Sequence, residues 1–216
     1  MLGIAKFIDQ TNLKQDARES DIIKLVEEQR KYKFRSICIA PSFLQAARKN
    51  LQNIYLTTVI SFPNGYASTE AKIFEAKDAI KNGANDLDIV SNIGRIKMRD
   101  YDYLSKEVNA LREITKSHIL KFIIETSFLN KEDILYITKI LAENGVDYVK
   151  TSTGFTKSGA KLDDVKFIKE NFDGKIKIKA SGGISDYKTA LDFIDAGADV
   201  IGTSHGLEII NYKEIW

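Results

Sequence analysis

Residues 175–181 (KIKIKAS) decide the fold of this 216-residue chain. Isoleucine alternates with lysine there, which is the period of a β-strand. Two glycines follow, residues 185–196 then carry a helical pattern that stops at Gly197, and a second strand candidate covers residues 199–204. A strand, a glycine turn, a helix and a strand form a βαβ unit, so the two strands are predicted to be parallel.

The same unit recurs along the whole chain. Strand candidates rich in isoleucine, valine, threonine and aromatic residues begin 21 to 35 residues apart, and a weaker one opens the chain. Eight such units predict one α/β domain over residues 1–216, a single (β/α)8 TIM barrel, with a doubly wound sheet as the alternative. The predicted strands are AKFIDQT (5–11), SICIA (36–40), TTVIS (57–61), DLDIV (86–90), KFIIETS (121–127), DYVKTST (147–153), KIKIKAS (175–181) and DVIGTS (199–204).

Helix patterns fill the gaps between these strands. One covers residues 20–33 with Ser20 as its candidate cap, another ends before Gly83, and a third begins at Asn130. The predicted helices are 20–33, 68–82, 130–144 and 185–196, with others near 42–51, 100–117, 161–171 and 206–214.

The composition is that of an ordinary globular protein, with 44% hydrophobic and 29% charged residues. The 32 basic and 30 acidic residues leave a net charge of +2, which does not indicate nucleic acid or a membrane surface as a partner. No apolar run reaches the roughly 18 residues needed to span a bilayer. The first ten residues are too polar for a signal peptide, so the expected location is the cytoplasm.

Cysteine and histidine usage narrows the chemistry further. Cys38 is the single cysteine, which excludes an intramolecular disulfide. His118 and His205 lack the spacing of a metal site, so no metal and no cofactor is predicted. A homo-oligomer, either a dimer or a tetramer, remains open, because no residue marks an interface.

Charged residues occupy strands that a barrel normally fills with branched apolar residues. Because their apolar neighbours must face the helices, the charges are predicted to point into the barrel. Burying a charge is costly unless it is paired or used, so the cluster indicates either a functional site or an ion-pair network that fills the lumen. The sets that share a strand face are Asp86 with Asp88, Lys121 with Glu125, Tyr148 with Lys150, and Lys175 with Lys177 and Lys179.

Lys150 and Lys179 lie near the C-terminal ends of successive strands, where TIM barrels have their active sites. A second ammonium ion disfavours protonation of a lysine, and an unprotonated lysine is the nucleophile of imine chemistry. Asp88, two strands before Lys150, is a candidate proton carrier. These three residue types are the ones that carbonyl chemistry through an imine needs.

Three glycine-bearing strand ends predict an anion site in the same region. Glycine lets backbone N–H groups approach an anion, and TIM barrels often bind phosphate after strands seven and eight. The residues concerned are Gly154 in TSTGF (151–155), Gly182 and Gly183 in SGGI (181–184), and Gly202 and Ser204 in GTSHG (202–206).

The chain resembles the deoxyribose-phosphate aldolase family over nearly its whole length. The strings VKTSTGF and KASGGI are together specific for that family. The matching segments are IDQTNLK (8–14), SICIAPSF (36–43), VISFPNG (59–65), EAKDAIKNGANDLDIVSNIG (75–94), KFIIETSFL (121–129), DYVKTSTGF (147–155), IKASGGI (178–184) and AGADVIGTSHG (196–206). The resemblance implies a class I, metal-independent aldolase on a TIM barrel that reversibly cleaves 2-deoxy-D-ribose 5-phosphate to acetaldehyde and D-glyceraldehyde 3-phosphate.

The resemblance also implies a role for each matching residue. Lys150 would form the Schiff base, Lys179 would perturb it and assist proton transfer, and Asp88 would relay protons. The small-molecule partners would be a sugar phosphate and aldehydes. The remaining implied site residues are Gly182, Gly183, Gly202, Ser204 and His205 at the phosphate, Gly154 in the substrate loop, and Asp9 and Thr11 near the sugar hydroxyls.

Some positions depart from the family pattern. His205 replaces a small residue beside the phosphate, and Ser185 replaces an arginine found in many members. Losing a guanidinium removes a bidentate partner for phosphate, which a histidine replaces only when protonated. Lys177 stands where members often have glycine, and we expect an inward carboxylate such as Asp86 to pair with it. We expect Glu125 to orient a lysine.

Three other functions fit parts of the pattern. A different class I barrel aldolase would use the same lysine on another sugar phosphate, and Ser185 with His205 would favour it. A catalytically silent phosphosugar-binding protein would not need Asp88 together with both lysines. A purely structural barrel explains the cluster least well.

Overall fold

The computed structural model describes residues 2–50 and 54–211. Eight parallel strands follow one another in chain order around a closed barrel, in which β8 pairs with β1. The predicted (β/α)8 TIM barrel is therefore confirmed, and a doubly wound sheet is excluded. The strands are β1 (Ile8–Asn12), β2 (Ser36–Ile39), β3 (Leu56–Ile60), β4 (Asp86–Val90), β5 (Ile119–Ile123), β6 (Tyr148–Lys150), β7 (Lys177–Ser181) and β8 (Val200–Thr203).

Helices connect the strands on the outside of the barrel. They are α1 (Leu2–Ala5), α2 (Glu19–Tyr32), α3 (Leu44–Asn50), α4 (Thr69–Lys81), α5 (Ile93–Lys97), α6 (Tyr101–Ile114), α7 (Lys131–Glu143), α8 (Leu162–Phe172), α9 (Tyr187–Asp195) and α10 (Gly206–Ile210). None of the helices in the described ranges has the length and apolar character needed to cross a membrane. The ends of the helices predicted at 42–51 and 206–214 lie outside the described residues.

The hydrophobic core lies between the strands and the helices. Alternate residues of each strand enter it, such as Leu87 and Ile89 on β4, and they are fully buried there. Helices contribute residues at helical spacing, such as Val165 and Ile168 on α8. Burial of this apolar shell is the main term that stabilises the fold, at roughly 25 cal/mol for each Å² removed from water.

Several element ends differ from the sequence prediction. The strand predicted at 121–127 ends at Ile123, because Glu125 adopts a left-handed conformation with a φ of 49°. The strand predicted at 147–153 ends at Lys150. Helix α2 begins after Arg18, so the predicted Ser20 cap is wrong, whereas Asn130 caps α7 as expected by accepting a hydrogen bond from the backbone of Asp133.

The expected pairing of Lys177 with Asp86 is wrong. Lys177 is the exposed first residue of β7, and its ammonium group lies 5.5 Å from the centre of the Tyr148 ring. Asp86 is fully buried and instead accepts hydrogen bonds from Lys121 at 2.5 Å and from Arg35 at 2.8 Å. The alternating lysines of KIKIKAS predict a longer buried strand than the structure has. Of the three lysines, only Lys179 lies in the lumen.

We predict that Lys177→Met changes the free energy of unfolding by less than about 0.5 kcal/mol, as is usual for an exposed position without a strong partner. Lys121→Met is the matched comparison, because it removes the same group from a buried position. It leaves the carboxylates of Asp86 and Asp88 short of a partner and should cost about 3–5 kcal/mol. Urea unfolding of both variants measures this difference. Equal losses of stability would contradict the assignment of Lys177 as exposed and of Lys121 as a buried ion-pair partner.

Candidate active site

Charged side chains from five strands meet inside the barrel. Asp9, Asp88, Lys121, Lys150 and Lys179 are all at most 3% exposed. The strand register places Asp88 beside Lys121 and Lys150 beside Lys179. The prediction that Asp88, Lys121, Lys150 and Lys179 point into the barrel is thus confirmed.

Asp88 contacts all three lysines of the cluster. Its Oδ2 accepts hydrogen bonds from Lys150 Nζ at 2.9 Å and from Lys179 Nζ at 2.7 Å, while its Oδ1 accepts one from Lys121 Nζ at 3.0 Å. The three residues with predicted catalytic roles are therefore in direct contact. Because the ammonium groups of Lys150 and Lys179 share one oxygen atom, each charge acts strongly on the other.

The charge states of Asp88 and Lys179 follow from these contacts. Burial alone would raise the pKa of Asp88, but Lys121, Lys150 and Lys179 hold it well below its ordinary value. Burial would lower the pKa of Lys179, but Asp88 and Asp9 raise it above its ordinary value. At neutral pH Lys150 therefore faces one fixed negative and one fixed positive charge.

A cavity of about 980 Å³ opens at the carboxyl ends of the strands. Among the lumen lysines, Lys150 lines this cavity, whereas Lys121 and Lys179 are completely buried. An entering ligand thus meets the amine of Lys150 first. Most of the other predicted site residues also line the cavity: Thr11, Gly154, Gly182, Gly183, Gly202, Ser204 and His205.

Asp9 lies inside the barrel and does not line the cavity. Its carboxylate accepts hydrogen bonds from Lys179 at 2.6 Å, from Arg35 at 2.7 Å and from the hydroxyl of Ser36 at 2.7 Å. Burial would raise the pKa of Asp9, but Lys179 and Arg35 hold it below its ordinary value. Asp9 is therefore the second anionic partner of Lys179, whereas Gln10, Thr11 and Asn12 of the same strand line the cavity.

Two glycines beside the cavity, Gly159 and Gly202, are required by close packing. A Cβ atom on Gly159 would lie 2.0 Å from the carbonyl oxygen of Gly182, so the loop after Lys150 and the loop after Lys179 touch through their backbones. A Cβ atom on Gly202 would lie 3.0 Å from Cε of Lys179. Gly202 thereby leaves room for that lysine, in addition to any contact that it makes with a ligand.

The loops after β7 and β8 present few charges to the cavity. Ser185 and Ser204 are exposed there, and His205 Nδ1 lies 3.6 Å from Oε1 of Glu208. Within residues 2–50 and 54–211, no group of three His, Cys, Asp or Glu side chains is placed to hold a metal ion. The donors that these loops offer to an anion are mainly backbone N–H groups and hydroxyls.

Glu125 has a different task from the one expected. Its buried carboxylate accepts hydrogen bonds from the backbone N–H of Thr153 at 3.0 Å and from its hydroxyl at 2.5 Å. The hydroxyls of Ser127 and Thr156 also donate to it, each at 3.2 Å. Glu125 orients the loop around Gly154 rather than a lysine. Strand alternation could not predict this contact, because the turn at Glu125 ends the alternation.

Arg35 is a member of the cluster that sequence reasoning missed. It precedes β2 and therefore escapes the strand alternation that revealed the lysines. Its guanidinium donates to Asp9 and to Asp86, and so joins the carboxylates of two strands that are not neighbours.

We predict that Glu125→Gln lowers the free energy of unfolding by about 1–3 kcal/mol, because the amide offers one acceptor where four hydrogen bonds now converge. Urea unfolding measures this change. Glu132→Gln is the matched control, since the Glu132 side chain is 86% exposed and its loss should cost less than about 0.5 kcal/mol. Equal stabilities of the two variants would show that Glu125 does not hold the loop.

Comparison with known proteins identifies the family of this chain. The family model described as DeoC/LacD family aldolase matches residues 4–211. A deoxyribose-phosphate aldolase of Finegoldia magna is 45% identical over 211 residues, which cover 97% of this chain and 99% of that protein. One from Caldicellulosiruptor saccharolyticus is 45% identical over 213 residues, covering 96% of this chain and 97% of that protein.

Solved structures agree with these relatives. The aldolase QR15 has a TM-score of 0.93 and 39% identity, over 97% of this chain and 95% of that one. A tetrameric deoxyribose phosphate aldolase from Aeropyrum pernix has a TM-score of 0.86 and 30% identity, over 97% of this chain and 90% of that one. The barrel, the buried lysine cluster and the full-length match lead to one conclusion: this chain belongs to the DeoC/LacD family of aldolases.

Proposed function

We propose that this protein reversibly cleaves 2-deoxy-D-ribose 5-phosphate to acetaldehyde and D-glyceraldehyde 3-phosphate through an imine on Lys150. One observation carries the proposal. Lys150 lines the cavity while its amine contacts Asp88, which also binds the charged Lys179. The relatives named deoxyribose-phosphate aldolase, at 45% identity over nearly the whole chain, support the choice of substrate.

The reaction begins with the unprotonated amine of Lys150, which attacks the C1 aldehyde of the open-chain sugar. Loss of water from the carbinolamine gives a protonated imine. Lys179 can donate a proton to the departing hydroxyl, since it holds one at neutral pH. Asp88 lies against both amines and stabilises the positive charge of the iminium ion.

Cleavage then uses the iminium ion as an electron sink. A base removes the proton of the C3 hydroxyl, the C2–C3 bond breaks, and its electron pair moves into the enamine. D-glyceraldehyde 3-phosphate leaves at this stage. Protonation of C2 and addition of water release acetaldehyde and restore Lys150. In this scheme Asp88, Lys179 and water exchange the protons, because Asp88 Oδ2 contacts the amines of both Lys150 and Lys179.

The phosphate is proposed to bind at the opposite side of the cavity. The loops at Gly182–Gly183 and Gly202–His205 line that side together with Gly154. Backbone N–H groups of glycine-containing loops suit a phosphate, and this is the usual phosphate position in TIM barrels. The tetramer of the relative from Aeropyrum pernix supports the expectation of a homo-oligomer for this chain.

We predict that borohydride reduction in the presence of 2-deoxyribose 5-phosphate attaches a stable adduct to Lys150, because reduction traps an imine. Peptide mass spectrometry locates the adduct, and a coupled assay for glyceraldehyde 3-phosphate measures turnover. Lys150→Leu should lose both the adduct and the activity. Lys139→Leu is the control, since Lys139 is exposed on α7, and it should keep both. An adduct on another lysine, with Lys150 unmodified, would sink the proposed mechanism.

A second prediction concerns the phosphate end. Ser185→Arg should lower KM for 2-deoxyribose 5-phosphate about tenfold, because a guanidinium forms charge-assisted hydrogen bonds with phosphate. KM for unphosphorylated 2-deoxyribose should not change, which makes that sugar the internal control. If Ser185→Arg instead raises KM for 2-deoxyribose 5-phosphate, the phosphate does not bind beside Ser185. A wild-type preference for another sugar phosphate in the same assay would favour a different class I aldolase reaction.

A further inference from the structure

The buried charges form a closed ring. Starting from Asp9, Arg35 connects to Asp86 through 2.7 and 2.8 Å contacts. Lys121 then connects Asp86 to Asp88 at 2.5 and 3.0 Å. Lys179 closes the ring from Asp88 back to Asp9 at 2.7 and 2.6 Å. Three cations therefore alternate with three carboxylates, and each member contacts two partners of opposite charge.

Lys150 is attached to this ring without being part of it. Its single ion pair in the described structure is with Asp88, which already has two other cationic partners. The ring is electrically neutral by itself, so the ammonium form of Lys150 is one surplus positive charge in a buried environment. If Lys150 loses its proton, every carboxylate still has two cations and the cluster becomes neutral.

We propose that Arg35 is a positioning residue for the nucleophile: it completes the neutral ring and so leaves Lys150 as the cation that most readily gives up its proton. This inference rests on the proposed function, in which the amine of Lys150 must be unprotonated. Arg35 does not line the cavity and therefore acts through the ring rather than by touching a ligand.

The charge of Arg35 is permanent under working conditions. Burial would lower its pKa, but the carboxylates of Asp9 and Asp86 raise it above its ordinary value. Its guanidinium spans two carboxylates with two separate nitrogen atoms, Nη1 and Nη2. A planar fork makes this double contact, whereas the single nitrogen of a lysine would need to sit between both oxygens.

Other titratable groups near Lys150 do not upset this balance. Burial raises the pKa of the Cys38 thiol on β2, so it is uncharged. Strands β3 and β8 carry no charged residue. Glu125, after β5, is occupied by Thr153 and its neighbours. The charged groups at the cavity mouth are three basic and three acidic residues, Lys14, Arg18, Lys24, Asp16, Asp21 and Glu28, together with His205.

The test measures the titration of Lys150 without relying on the sugar phosphate. Dilute formaldehyde with cyanoborohydride methylates unprotonated amines, and mass spectrometry of the Lys150 peptide gives the methylation rate at each pH. Arg35→Gln leaves the ring with one surplus negative charge, which holds the proton on Lys150. We expect the midpoint of methylation, and the acid limb of kcat/KM, to move to higher pH by on the order of one unit.

Asp86→Asn should shift the midpoint of methylation in the opposite direction, so the direction of each shift tests the charge balance of the ring. It leaves the ring with one surplus positive charge, so the midpoint should move to lower pH. The double variant Arg35→Gln/Asp86→Asn restores a neutral ring and should return the midpoint close to that of the wild type. A purely structural role of Arg35 predicts no such reversal, and a double variant that keeps the Arg35→Gln shift would overturn the proposal.

Arg48→Gln is the matched control for loss of a partly buried arginine that holds several acceptors at the same end of the barrel. Arg48 donates to the carbonyl oxygens of Ile54 and Gly83 and to the amide oxygen of Asn85. Its removal should lower stability without moving the midpoint. Arg35→Lys keeps the positive charge and should stay near the wild-type midpoint if Arg35→Gln folds poorly. Circular dichroism and urea unfolding identify variants that do not fold.

The two proposals fail in different ways. Shifted midpoints without turnover of 2-deoxyribose 5-phosphate would support the ring and contradict the proposed lyase activity. Turnover with the same midpoint in the wild type, Arg35→Gln and Arg35→Lys would contradict the ring and leave the proposed function intact. A midpoint that shifts equally in Arg35→Gln and Arg48→Gln would also contradict the proposed effect of Arg35 on Lys150.

Discussion

Burial of the Asp88 carboxylate is the constraint on which the rest of the structure depends. A carboxylate inside a protein is stable only when cations and hydrogen-bond donors compensate for lost hydration. Lys121, Lys150 and Lys179 supply that compensation from three successive strands, and Asp88 is the carboxylate that all three share. The contact between Asp88 and Lys179 crosses the lumen from β4 to β7, which are not neighbours in the sheet, so it requires the curvature of the barrel. Closure of the sheet and formation of the candidate site are thus one event.

Such a lumen contributes little net stability, because the desolvation of the ions offsets much of their attraction. The apolar shell between the strands and the helices must therefore supply most of the stability of the fold. On β4 the two requirements alternate residue by residue: Leu87 and Ile89 enter the hydrophobic layer while Asp86 and Asp88 face inward. This division explains how a chain with only ordinary hydrophobic content can devote the centre of its barrel to charge.

The sequence predicted the barrel, its eight strands and the inward direction of most charges, because all three follow from local periodicity. Lys177 and Glu125 show where periodicity fails. At Lys177 the alternation begins before the strand becomes buried, and at Glu125 a left-handed turn redirects the side chain towards Thr153. Arg35 lies outside any strand, and its contacts with Asp9 and Asp86 depend on tertiary distances that no local pattern contains. The family motifs correctly paired Lys150 with Lys179, but they contain no information about the balance of charges around these two lysines.

That charge balance also bears on how a dianionic substrate could enter. The carboxylates of Asp9, Asp86 and Asp88 lie below the cavity, and each is held by at least two cations, so their repulsion of a phosphate is largely cancelled. A protonated Lys150 gives the cluster a net charge of +1, which attracts an anion, whereas an unprotonated Lys150 leaves the cluster neutral. Since Ser185 offers no guanidinium to the cavity, the proposed phosphate site relies on the backbone donors of the glycine loops when the cluster is neutral. Glu125 then matters for binding as well as for folding, because its four hydrogen bonds fix the loop that carries Gly154.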